Sequence, residues 1–101
     1  MQYVMTAMDF TDAEALERRM AKREAHLAGI KDMIVEGTFL SGGAILDGEG
    51  RMVGSSAHVQ FERREQLDHW LKNDPYTLGK VWDRFDIREV KLVPVDQFRK
   101  I

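Results

Sequence analysis

The hydrophobic pattern of this 101-residue chain changes period in the order strand, helix, strand, strand, helix, strand, and few folds accept that order. Residues 2–8 alternate as a strand, with Tyr3, Met5 and Ala7 on one face and Val4 and Met8 on the other. Both faces are largely apolar, which implies cover on both sides. Thr11 or Asp12 then offers a helix N-cap, with Glu14 in the first turn, and Gly37 supplies a stop after Glu36. At about 100° per residue, Leu16, Met20, Leu27 and Ile34 form one stripe, which predicts the core face. Arg19, Arg23, His26, Ile30 and Met33 fall along its flank, where a half-buried pocket wall is expected.

Residues 38–46 read as a second strand broken by Gly42-Gly43, a pair that marks a bulge or a close approach of ligand or backbone. Asp47-Gly48-Glu49-Gly50 is a turn, and residues 51–61 return as a third strand. There Val53, Ala57, Val59 and Phe61 point one way and Met52, Gly54, Ser56, His58 and Gln60 the other. Residues 63–73 form a shorter helix with Leu67, Trp70 and Leu71 inward. It ends at Asp74-Pro75, because the residue before proline avoids helical geometry. Tyr76 to Trp82 is a connector, and Phe85 to Val95 is a last strand ending near Pro94.

The order β-α-β-β-α-β is that of an α+β, ferredoxin-like domain, with a four-stranded antiparallel sheet and two helices on one face. It spans residues 1–95 and leaves 96–101 as a polar tail in which Phe98 can pack. The open face of the sheet carries Val4 and Met8 and needs a partner. A second copy related by a two-fold axis is the simplest.

Composition narrows the function. Fifteen basic and seventeen acidic residues give a net charge of −2 with no block of like charge, so no electrostatic footprint for nucleic acid or an anionic membrane is present. The absence of cysteine excludes disulfides, thiolate metal sites and thiol nucleophiles. The N-terminal run lacks a basic region and reaches Asp9 at once, unlike a signal peptide, and no stretch approaches membrane-spanning length. The expected location is the cytoplasm.

Few residues carry chemistry. His26 and Asp74 sit on different helical segments, and a histidine paired with a carboxylate is a proton-transfer unit if the fold joins them. The plainer readings are a boundary histidine satisfied by backbone or water, and an Asp-Pro turn whose side chain caps nearby amides. Arg23 suits recognition of a substrate anion, more so than Arg19 because it lies closer to the stripe. Both equally suit a solvated helix face. Ser55 lies outside any GxSxG elbow, so it reads as a hydrogen-bonding residue toward ligand or Asp74, not a nucleophile. Tyr76 and Trp82 can line a pocket for a flat substrate or pack in the core or a dimer contact. Gly42 and Gly54 are candidates for ligand approach, and bulk at Gly54 would enter ligand space or a dimer interface. His58 and His69 have no metal-ligand spacing with His26, and Gly48-x-Gly50 opens no helix, so neither a metal nor a nucleotide cofactor is expected.

Ala25-His26-Leu27, Gly37-x-x-Leu40-x-Gly42-Gly43, Gly54-Ser55 and Asp74-Pro75-Tyr76, in that order, resemble the YciI-like (YCII-related) proteins. The resemblance spans nearly the whole chain and implies a dimeric α+β barrel, similar in fold to muconolactone isomerases. It implies a site built on a histidine and an aspartate, here His26 and Asp74. One branch of that family dechlorinates hydroxylated aromatics; most members have no assigned reaction. Gly43 departs from the pattern, in which proline commonly follows the glycine.

Two functions follow as expectations. The first is a small cofactor-independent enzyme of lyase or isomerase type, acting on a small organic acid, lactone or hydroxylated aromatic. In it His26 is the general acid or base, Asp74 orients it and Arg23 holds an anion. The second is a non-catalytic small-ligand-binding or regulatory module of the same fold. In both, the partners are a small molecule and a second copy of the chain.

Overall fold

The computed structural model describes residues 1–99. Strand β1 (Gln2–Asp9) leads into helix α1 (Ala15–Glu36), then strands β2 (Phe39–Leu46) and β3 (Met52–Gln60). Helix α2 (Arg64–Asn73), the single turn α3 (Pro75–Leu78), strand β4 (Trp82–Val90) and the turn α4 (Val95–Phe98) complete the chain. The sheet order is β2-β3-β1-β4, antiparallel throughout, so the domain is the α+β ferredoxin-like arrangement.

The two-residue alternation of β1 organises the inner layer. Tyr3, Met5, Ala7 and Asp9 are buried, and Val59, Ala57 and Ser55 of β3 sit opposite the first three. Leu67 and Leu71 of α2 close over them with Tyr76, Val81 and Trp82 to make one core. Helix α1 stops at Gly37, whose φ of 84° only glycine adopts cheaply; its N–H and that of Thr38 bond back to Ile34 and Met33.

The stripe expected to be the core face of α1 is not. Leu16, Met20, Leu27 and Ile34 are exposed, Met20 to 52% and Ile34 to 55%. The buried positions are Ala15, Arg19, His26 and Ile30, the first three each one residue before a member of the expected stripe. The face turned inward is thus the one carrying two polar side chains. Hydropathy ranks it second, but Asp9 and Ser55 on the sheet bond the Arg19 Nη atoms and Asp74 at the start of α3 bonds His26 Nδ1, which offsets much of the cost of burying them.

The last strand also differs from expectation. It begins at Trp82, opposite Asp9, and ends at Val90, opposite Gln2, because β1 has no further residues to pair with. Beyond it the Gln2 side chain accepts the Leu92 N–H, and α4 leaves Phe98 74% exposed instead of packed. The final two residues of the expected tail lie outside the described residues.

Candidate active site

Asp74 is placed by two local devices. It is the last residue before Pro75, with extended backbone, and it caps the α3 turn by accepting the Tyr76 N–H at 2.8 Å. Its second oxygen accepts the Trp70 indole N–H from one turn earlier in α2, at 3.0 Å. The carboxylate is then aimed at α1, where His26 Nδ1 lies 2.9 and 3.0 Å from the two oxygens. Both side chains are buried.

This pairing fixes the histidine tautomer. An imidazole nitrogen facing a carboxylate must carry a hydrogen, so neutral His26 bears its proton on Nδ1. Nε2 is left with a lone pair and no hydrogen-bond partner among the described residues. The Tyr76 ring stacks on the imidazole at 3.9 Å and 12°, and Trp82 meets it edge-on at 5.5 Å. Tyr76 is itself nearly enclosed, and burial pushes its phenol above the ordinary value.

A second polar cluster stands beside the first. Asp9 ends the buried alternation of β1, and both its oxygens take Arg19 Nη1 at 2.9 and 3.0 Å. Arg19 Nη2 donates to Ser55 Oγ at 2.8 Å, and the Trp82 indole N–H donates to the same oxygen at 3.1 Å. The guanidinium carbon lies 4.7 Å from the centre of the Tyr76 ring, within cation–π range. Burial pushes the Asp9 carboxyl up from its ordinary value, with the Arg19 hydrogen bond and charge opposing.

Both clusters open on one cavity of about 270 Å³ between α1 and the inner face of β2 and β3. Apolar side chains such as Met5, Ile30 and Phe39 supply most of its wall, and Trp70, Tyr76 and Trp82 supply aromatic surface. Few polar groups converge on this mostly apolar concavity, as small-molecule sites require. Among the described residues, no group of three or more histidine, aspartate or glutamate side chains could hold a metal ion.

The structure brings His26, Asp74, Ser55 and Tyr76 together, and Gly42 borders the cavity. Arg23 lies at the rim with an exposed side chain; the buried cation is Arg19. Ser55 bonds to Arg19 and Trp82, not to Asp74. Gly54 is outside the cavity. It belongs to the opposite sheet face, where an added Cβ would lie 2.7 Å from the Ala7 carbonyl oxygen and 3.0 Å from Met8 Sδ. At Gly42 an added Cβ would strike the Ser56 carbonyl oxygen and come within 2.7 Å of the Phe39 ring. Close backbone neighbours thus restrict both positions; Gly42 also lines the cavity, whereas Gly54 does not. Asp9 and Trp70 were missed in the sequence. A signal for Asp9 was there, because a carboxylate continuing the buried alternation of Tyr3, Met5 and Ala7 requires a cation.

A ferredoxin-like sheet with a buried histidine–carboxylate pair beside a mostly apolar concavity defines the general class: a small α+β domain with one candidate small-molecule site. Within that class, the chain belongs to the family of the YCII-related domain, whose model matches residues 1–91. It is 32% identical over 99 residues to Protein YciI of Escherichia coli, covering 92% of this chain and 99% of that one. It is 33% identical over 85 residues to "Derivative of benzaldehyde biosynthesis cluster protein C" of Emericella nidulans, covering 76% and 87%. Among solved structures it is similar in fold to 5-chloro-2-hydroxyhydroquinone dehydrochlorinase of Burkholderia phenoliruptrix, solved with 2,5-dihydroxybenzoquinone. That match has a TM-score of 0.80 at 21% identity and covers 90% and 94% of the two chains. The family expected from the motifs and the α+β ferredoxin-like domain are thereby shown.

Proposed function

We propose that the protein is a small enzyme that moves a proton on a small organic acid, lactone or hydroxylated aromatic, with no cofactor. One observation carries this reading: the 2.9 Å contact of Asp74 with His26 Nδ1, which leaves Nε2 as a lone pair in a mostly apolar cavity. His26 is the general base and then the general acid, and Asp74 orients it and stabilises the imidazolium that forms. Arg23, at the rim, meets an incoming anion. The aromatic wall suits a flat ring, and the name of the Burkholderia relative in fold supports a hydroxylated one. Proton transfer of this kind needs neither metal nor nucleotide.

The test is turnover in deuterated buffer, with 5-chloro-2-hydroxyhydroquinone and a panel of small lactones. Chloride release and deuterium incorporation are followed by NMR for wild type and His26→Gln. Loss of turnover in the variant is expected. Tight binding of a panel member with no exchange in wild type favours the second reading, a binding or regulatory module, for which the small number of polar groups in the cavity speaks.

We further propose a cytoplasmic homodimer. Its support is the outer sheet face, where half-buried Val4 and Met8 lie beside Ile45 and the charged Arg84, Asp86 and Arg88 of β4. Among the described residues, no helix is long and apolar enough to cross a membrane.

A further inference from the structure

Ser55 Oγ has two lone pairs and one hydrogen. Its two partners, a guanidinium Nη2–H at 2.8 Å and an indole N–H at 3.1 Å, can only donate. Both lone pairs are therefore occupied, and the hydroxyl hydrogen has to point elsewhere. Among the described residues it finds no acceptor, and Ser55 lines the cavity. Neither donor is free to turn away. Arg19 is held by both oxygens of Asp9 and is 3% exposed; Trp82 is clamped in strand β4 opposite Asp9.

The His26 part of the cavity wall has the opposite polarity. Asp74 receives the His26 Nδ1–H, the Trp70 indole and the Tyr76 amide, so the one polar atom His26 offers to the cavity is an acceptor. Fixed acceptor and fixed donor thus face one small apolar space.

We propose that Ser55 is an obligate hydrogen-bond donor to the ligand, and that with His26 it selects a conjugated frame carrying an acidic hydroxyl and a carbonyl oxygen. Arg19, Asp9 and Trp82 are positioning residues for that donor. The inference rests on the reading of this cavity as the functional site and deepens it to a substrate class, the vinylogous acids. In the reaction the hydroxyl proton passes to Nε2, and its electron pair shifts through the frame onto the carbonyl oxygen. The oxyanion formed there accepts the Ser55 hydroxyl, with the Arg19 charge directly behind it. Arg19 Nε is buried with no partner, so Asp9 and Ser55 leave part of its donor capacity unused.

The experiment uses three ring probes: tropolone, which carries hydroxyl and carbonyl; tropone, which carries the carbonyl alone; and phenol, which carries the hydroxyl alone. Calorimetry gives each Kd, and the His26 imidazole 15N resonances report whether the probe sits beside it. Wild type is expected to hold tropolone roughly tenfold tighter than phenol, the worth of one good hydrogen bond. Ser55→Ala should bring that ratio close to one and weaken tropone by a similar factor, and Ser55→Thr should restore both. Trp82→Phe keeps the serine but frees one of its lone pairs, so the ratio should fall there too, independently of whether Ser55→Ala folds. An unchanged tropolone-to-phenol ratio in Ser55→Ala and Trp82→Phe, with His26 resonances still shifted by tropolone, overturns the donor assignment and leaves the site standing. Failure of all three probes to shift His26 overturns both.

Discussion

Asp9 grips one nitrogen of Arg19 with both carboxylate oxygens, at 2.9 and 3.0 Å, between two side chains that are nearly fully buried. Removing one member of such a pair leaves the other charge buried and alone, which costs about 3–5 kcal/mol. Asp9→Asn should lose stability on that scale in urea unfolding. Replacing both partners, as Asp9→Leu with Arg19→Met, should recover most of it while releasing Ser55. A double variant no more stable than Asp9→Asn would show that the loss does not come from a stranded guanidinium.

Asp9 and Asp12, both ahead of α1, should respond oppositely to pH. The Arg18 fork grips Asp12 at 2.7 and 2.8 Å and lowers its carboxyl to about 2. A lowered carboxyl stabilises the fold above the unfolded value of about 3.9, and the contribution fades as pH falls toward the folded one. Burial raises Asp9, so its contribution is full below the unfolded value and fades as pH rises through the folded one. Melting temperatures read from pH 5 down to 2 should therefore show the gap between wild type and Asp12→Asn closing. Parallel curves would mean that the pair is broken in solution.

Gly54 is a test of sheet packing. A side chain there must displace the Ala7 carbonyl across the central β1–β3 pair, and Ile45 Cδ1, 3.3 Å away, blocks the alternative. Gly54→Val should cost about 1–3 kcal/mol, the usual penalty of overpacking. Ligand affinity per folded molecule should hold, since the position is outside the cavity. A variant with unaltered stability but weakened tropolone binding would put Gly54 back in the site.

Element order, the Gly37 stop and the Asp74-Pro75 break were legible because each rests on local backbone chemistry. Tyr3, Met5 and Ala7 were read correctly, since a strand has only two faces to choose from. Helix α1 has many faces, and there the ranking by hydropathy picked Leu16, Met20, Leu27 and Ile34 over the buried Arg19, His26 and Ile30. The inward face is decided by Asp9, Ser55 and Asp74, which come from three other elements and leave no trace in the periodicity of the helix. For the same reason Arg23 was preferred to Arg19: distance from an apolar stripe says nothing about a partner at the end of β1. The end of β4 was misplaced because a strand stops where its neighbour does, and Gln2 is far from Val90 in sequence.

The tautomer of His26 is the sharpest consequence of the site. Asp74 presents only acceptors, and the indole of Trp70 and the amide of Tyr76 present only donors to it. Asp74→Asn keeps the shape but turns one oxygen into an NH₂ group. The remaining oxygen is best satisfied by the Tyr76 amide at the α3 cap, so the new amide hydrogens face His26 and Trp70. Trp70 can only donate and must swing away. His26 can respond by moving its proton from Nδ1 to Nε2 and accepting at Nδ1. The lone pair that faced the cavity then becomes an N–H. Two-bond 15N–1H correlation spectra should show the Nδ1–H form in wild type and the Nε2–H form in the variant. Turnover through Nε2 should fall by roughly 10⁴-fold, the scale of a wrong tautomer in a base of this kind. The same tautomer in both proteins would mean that Asp74 does not orient the ring, and that the carboxylate serves only to cap α3 and hold Trp70.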